Sequence, residues 1–202
     1  MKIDFLKIVD GFKNIKGLDV DFDESQLLTV LVGRNGSGKS NVIEALVRIF
    51  RALDLGELAP FSYHLRYSLG ADNNIWVDVE ASPTFGKTAL TQHQIKVAEK
   101  SEGSENSEWR SVSFNQVVRD SSGNAKYLPK HLFAYYSGPS DRLEDLFKPH
   151  RTKFYKQLLD NKVDIQDEVR PLFYAKHFHS QFVLLAFFLN QQTEVGRNFL
   201  DS

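Results

Sequence analysis

The sequence predicts an α/β fold, and three observations predict it. An almost continuous apolar run, Leu27, Leu28, Val30, Leu31 and Val32, has the composition of a central strand covered on both faces. An amphipathic segment opens at about Lys39 and has helical spacing. The two are joined by "GRNGSGK", a loop too rich in glycine to be either. The architecture expected from these is a central, mostly parallel sheet with an antiparallel β subdomain and flanking helices.

"KIDFLKIVDGF" and "GLDVDFD" alternate apolar and polar residues, which predicts two half-buried strands joined by a turn around Asn14 to Gly17. In the helix that follows the loop, Val42, Ile43, Leu46, Val47 and Phe50 share a face, while Glu44, Arg48 and Arg51 fall elsewhere on the wheel. Gly56 and Pro60 end this portion, residues 1–60. An antiparallel insert over 61–131 is expected from "NIWVDVEA", "HQIKVAEK" and "WRSVSFNQVV", with "KSEGSENSE" as a hairpin loop that has almost nothing to bury. Residues 132–202 hold a second buried strand, "HLFAYYSG", and a helical part from Leu143 through "RLEDLF", "FYKQLLD" and "FVLLAFFL".

Composition narrows the functional classes. Lys and Arg number 25 and Asp and Glu 26 among 202 residues, so the net charge of -1 gives no global attraction to nucleic acid or to an anionic membrane. The absence of cysteine excludes disulfides and thiolate metal sites, and a cytoplasmic location is the simplest expectation. Asp4 and Asp10 interrupt the N-terminus, which does not read as a signal peptide. The longest apolar run, Phe182 to Leu189, is far shorter than the ~20 residues that span a bilayer and reads as a buried helix.

Gly33, Gly38, Lys39 and Ser40 satisfy G-x-x-x-x-G-K-[ST] with a strand expected before and a helix after. Glycines let successive backbone N–H groups turn inward and approach phosphate oxygens without Cβ obstruction, and the helix aims its positive end at the same place. Lys39 then supplies a cation to the β- and γ-phosphates, and Ser40 a hydroxyl ligand to Mg²⁺. A nucleoside triphosphate with Mg²⁺ is the implied ligand.

"FKNIKGLDVDFDESQLLTVLVGRNGSGKSNVIEAL" resembles the N-terminal part of ABC-type ATPases of the SMC and RecF group, including bacterial AAA-family proteins of the overcoming-lysogenization-defect and phage-defence type. The likeness is close over roughly the first 55 residues, and "HLFAYYSGPSDRLEDLF" is similar to a later stretch of that group. The resemblance implies a P-loop NTPase lobe that binds ATP. It implies that Phe12, Lys13 and Asn14 lie beside the base, ribose or phosphates, and that Arg34 and the run Asn35, Gly36, Ser37, Gly38, Lys39, Ser40 and Asn41 wrap the phosphates. It also implies a homodimer clasping two ATP molecules across composite sites, with DNA, a nuclease or a toxin as the downstream partner and no membrane.

An ATPase of this group needs an apolar strand ending in Asp-Glu, a signature loop and a switch histidine. "IWVDVE" separates Asp78 from Glu80, "DIQDEV" sets Asp167 and Glu168 after a polar Gln, and "YSGPSD" carries Pro139 where a signature loop would not. The chain is therefore expected to be the N-terminal lobe of a longer ATPase, completed by a C-terminal lobe or a second subunit, with little turnover alone. Where the group senses γ-phosphate and metal through Gln, this sequence offers Ser137 and Ser140, which makes Ser137 a candidate metal-shell residue.

Two further patterns are weaker. "FKPHRTKFYK" interleaves Lys148, His150, Arg151, Lys153 and Lys156 with Phe147, Phe154 and Tyr155, either a nucleic-acid surface or a helix with a solvated basic face. His177 and His179 diverge by about 200° on a helix, which disfavours a shared metal. Rival functions are a small P-loop kinase or GTPase, disfavoured by the lack of an NKxD-type sequence, and a nucleotide-binding interaction module without hydrolysis.

Overall fold

The computed structural model describes residues 1–23, 28–70, 74–99, 108–120, 123–136, 142–160, 170–176 and 178–193. The chain divides into two compact units, Met1–Lys130 and His131–Ser202.

In the first unit, alternation produces the strands that it predicts. β1 (Lys2–Ile8) pairs with β2 (Leu18–Asp21) in antiparallel register, Phe5 opposite Asp21 and Ile8 opposite Leu18. The helix α1 (Lys39–Leu55) follows, then β3 (Tyr63–Leu69), β4 (Ile75–Ala81), a one-turn helix α2 (Ala89–Gln92), β5 (His93–Glu99) and β6 (Arg110–Val112). All six strands form one sheet in the order β2-β1-β3-β4-β5-β6, and every pairing is antiparallel. Strand β3 was not anticipated by the sequence reading, although His64, Arg66 and Ser68 alternate with Tyr63, Leu65 and Tyr67. It is the strand through which the opening hairpin and the later strands become a single sheet.

The core of this unit lies between the sheet and α1. Leu6, Ile8, Leu65, Tyr67, Val77 and Val79 are wholly buried, and Phe50 of α1 meets the Tyr67 ring edge-on at 5.2 Å. Tyr67 survives burial because its hydroxyl donates to the Tyr127 carbonyl oxygen at 2.6 Å, and burial pushes its phenol far above the ordinary value. Around the end of α1, Arg119 donates to Asp54 at 2.9 Å with both side chains almost fully buried. Arg119 Nη1 and Nη2 also donate to the carbonyl oxygens of Gly123 at 2.8 Å and Pro129 at 3.0 Å, so each nitrogen of the buried guanidinium has a partner.

In the second unit, β7 (Leu132–Tyr135) and β8 (Leu172–Ala175) pair in parallel, with Leu132 opposite Leu172. Strand β8 interrupts the stretch expected to be helical. Between them α3 (Glu144–Leu159) sets Phe147 against Tyr174 at 5.6 Å. The Lys176 ammonium donates to Glu144 at 2.6 Å and, with Arg151, holds the Glu144 carboxyl below the usual carboxylate range. α4 (His179–Leu189) is the last helix among the described residues.

Four expectations need correction. The large sheet is antiparallel throughout rather than mostly parallel, and the parallel pairing among the described residues is confined to β7 and β8. The apolar run before the loop is not a covered strand, since Leu28, Val30 and Val32 are 77%, 68% and 86% exposed and unpaired. An apolar run becomes a central strand only when neighbours supply partners and cover, and the described residues provide none. For the same reason neither the run in α4 nor the second strand expected to be buried, β7, is covered, with Phe182 at 64%, Leu189 at 76%, Phe133 at 63% and Tyr135 at 61% exposure.

Candidate nucleotide site

The loop from Gly33 to Ser40 ends at α1 through a left-handed Gly38, φ 97°. A Cβ there would stand 3.1 Å from Ile15 Cγ1 and 3.3 Å from Asn14 Oδ1, so backbone angle and space both reserve the position for glycine. Gly36, φ 83°, makes the second left-handed turn. The first turn of α1 carries no acidic residue and no side-chain cap, which leaves the positive end of the helix without neutralisation by its own residues.

Lys39 folds back over the loop, its ammonium donating to the carbonyl oxygens of Gly33 at 2.6 Å and Arg34 at 2.8 Å. The lysine thus already sits over the cradle, bound by acceptors weaker than phosphate. Ser40 is half-buried in the first helical turn, and Arg34, Asn35, Gly36 and Ser37 are exposed around the rim.

The turn Phe12–Ile15 braces this loop from the side. Phe12 and Ile15 exchange both backbone hydrogen bonds, at 2.8 and 2.9 Å, and Lys13 between them takes φ 56°, uncommon for a residue with a side chain. Asn14 donates to the Gly36 carbonyl oxygen at 2.7 Å and accepts from the Asn41 amide. The Phe12 ring packs on Phe61 at 4.8 Å, with the Arg48 guanidinium 5.6 Å from its centre. Phe12, Lys13, Asn14 and the loop residues up to Asn41 are therefore brought together.

Glu44 is the site residue that sequence reasoning missed. It was placed off the buried face of the helix, yet it is completely buried while Ile43 is 45% exposed. Both carboxylate oxygens accept from Lys13, at 2.7 and 2.6 Å, and Oε1 also accepts from Arg48 Nε and Nη2 at 3.1 Å. Burial raises the Glu44 pKa, and the Lys13 and Arg48 hydrogen bonds outweigh it, so the carboxyl lies below its ordinary 4.5. The available signal was a carboxylate four residues before an arginine in an otherwise apolar stretch.

Half-buried Ser40 offers a hydroxyl of the kind that fits a Mg²⁺ held largely by phosphate oxygens and water. Among the described residues no group of three or more His, Asp or Glu gathers for a metal. Asp78 is occupied elsewhere, bound by Arg66 at 2.9 Å and His64 at 3.0 Å, with Glu80 exposed two residues on. Ser137, Ser140, Asp167, Glu168 and His177 lie outside the described residues. The basic stretch forms α3 with Phe147 and His150 buried, Phe154 half-buried, and Tyr155 exposed together with Lys148, Lys153 and Lys156. No helix among the described residues is long and apolar enough to cross a membrane.

Neither the curated proteins nor the solved structures contain a match to this chain. A family model does: that of the AAA ATPase domain matches residues 1–182, a span that takes in the loop, its bracing turn, α1 and both strands of the smaller sheet. With most of its length inside that match, the chain belongs to the AAA ATPase domain family and carries the P-loop α/β fold that the family implies.

Proposed function

We propose that this chain is the ATP- and Mg²⁺-binding N-terminal lobe of an ABC- or SMC-like ATPase. In the full protein it switches an ATP-dependent homodimer, with output on DNA or on a nuclease or toxin partner, in DNA maintenance or anti-phage defence. The observation that carries the nucleotide reading is the loop with left-handed Gly36 and Gly38 at an uncapped helix end with Lys39 poised over it. Lys39 neutralises the β- and γ-phosphates, Ser40 provides a hydroxyl to the Mg²⁺ shell, and the turn at Phe12 to Asn14 borders the nucleotide. Bound Mg²⁺ would supply further neutralisation of the phosphate charge.

The partner reading draws support from the exposed Leu28, Val30 and Val32 beside the loop and from the exposed apolar α4. Surfaces of this kind gain about 25 cal/mol per Å² when covered, and a further lobe of the same ATPase is the occupant that would also bring water-positioning groups.

The test is calorimetric titration of the chain with ATP and, separately, GTP, each with Mg²⁺, with Lys39→Ala as control and steady-state hydrolysis on the same samples. ATP binding that weakens by about 10–100-fold in Lys39→Ala, the value of one charge-assisted hydrogen bond or two, is the expected result. Little turnover should accompany it. Equal affinity in the variant would overturn the nucleotide reading, and brisk turnover by the chain alone would overturn the reading as an incomplete lobe.

A further inference from the structure

The turn at Phe12–Ile15 is built against the grain of its own backbone. Lys13 holds φ 56° in a position with no glycine, an arrangement that persists only where surrounding contacts impose it. Those contacts converge on one side chain. Glu44 takes the Lys13 ammonium on both oxygens, and the Arg48 guanidinium that it also binds stands over the ring of Phe12. The third member of the turn, Asn14, is held by Gly36 on the loop and by Asn41 in the first turn of α1, and Ile15 is packed where any side chain at Gly38 would intrude. Glu44 lies one helical turn beyond Ser40, so a single helix carries both the Ser40 hydroxyl and the anchor of the turn.

From this geometry we infer that Glu44 is a positioning residue of the nucleotide site: by binding Lys13 it seats the Phe12–Ile15 turn against the phosphate loop, and Lys13 serves as scaffold rather than as a phosphate ligand. The inference rests on the nucleotide reading above and adds to it the identity of the group that pre-organises the loop. A loop held in its binding conformation before the ligand arrives spends less of the interaction on ordering. The alternative use of the same residues has the opposite sign. Were Lys13 a phosphate ligand in competition with Glu44, freeing it would tighten binding.

The experiment measures the Kd of MgATP for the chain, Lys39→Ala, Glu44→Gln, Lys13→Met, Lys13→Arg and the Glu44→Gln/Lys13→Met double variant. All are titrated well below their melting temperatures, which are recorded alongside. Glu44→Gln and Lys13→Met are each expected to weaken binding roughly tenfold, the scale of a small misplacement at a site. The double variant should be no weaker than either single one, and Lys13→Arg should restore most of the affinity. A lowered melting temperature with unchanged Kd in both single variants would mean a merely structural pair and overturn the inference. So would tighter binding by Glu44→Gln, or effects that multiply in the double variant. Loss of binding in Lys39→Ala with normal binding in the Glu44 and Lys13 variants removes this inference alone, whereas no binding by the unaltered chain, or full binding by Lys39→Ala, removes the nucleotide reading and this inference together.

Discussion

The two ends of α1 use the same device for opposite purposes. Each is marked by a left-handed glycine, Gly38 at the start with φ 97° and Gly56 at the finish with φ 73°. At the finish the chain is closed: Glu57 N–H donates to the Ala52 carbonyl oxygen at 2.9 Å, and beside it the buried Asp54–Arg119 pair ties the helix to the segment that ends the unit. At the start the helix has neither a side-chain cap nor an acidic residue in its first turn, and the carboxylate of Glu44, farther along the helix, accepts from Lys13 and Arg48. A stable helix needs only one of these ends to be sealed. The other can be left electropositive for a ligand, provided something else holds the loop in place.

That contrast can be broken most severely at the sealed end. Asp54→Ala leaves the Arg119 guanidinium buried without its carboxylate and is expected to cost about 3–5 kcal/mol in urea denaturation. MgATP affinity of the folded fraction should stay unchanged. A loss at the open end should be smaller in stability and larger in binding. Gly38→Ala combines left-handed strain with contacts at 3.1 and 3.3 Å to Ile15 and Asn14, for an expected cost of about 2–3 kcal/mol and a clear loss of MgATP binding.

Gly56→Ala sharpens the same comparison, because its added Cβ would meet only Val118 at an ordinary 3.7 Å. Backbone strain alone should then cost about 1 kcal/mol with nucleotide binding intact. If Gly38→Ala and Gly56→Ala behave alike in both measurements, the close approach of the bracing turn to the loop is not a constraint. The smallest effect expected is on pH. The Glu44 carboxyl titrates below 4.5 in the folded chain, so its ionised form stabilises the fold above that value, and the contribution disappears as pH falls through the lowered folded value. Denaturation midpoints followed from pH 6 to pH 3 should therefore fall less steeply in Glu44→Gln than in the unaltered chain; equal slopes would show that Lys13 and Arg48 do not favour the ionised form.

Local chemistry was legible in the sequence where one short segment dictates its own structure. The spacing of Gly33, Gly38, Lys39 and Ser40 located the loop and the helix start, and alternation located β1, β2, β4 and β5. Tyr63 to Leu69 carries the same alternation inside the stretch expected to be an antiparallel insert. The Phe12–Asn14 triplet was associated with the loop only through resemblance. Nothing in the residues themselves indicated that Asn14 would reach Gly36 across 22 positions or that Lys13 would meet Glu44 across 31.

By itself, then, the sequence determined the phosphate loop, the helix behind it and the antiparallel character of the strands from Ile75 to Val112, since each depends on periodicity and on backbone preferences of adjacent residues. Only the tertiary structure decided that Glu44 is inside and Ile43 outside, because burial of a carboxylate depends on cations delivered from elsewhere in the chain. It decided also that Leu28, Val30 and Val32 stand uncovered, because hydrophobicity states a need for cover and neighbouring elements determine whether the need is met.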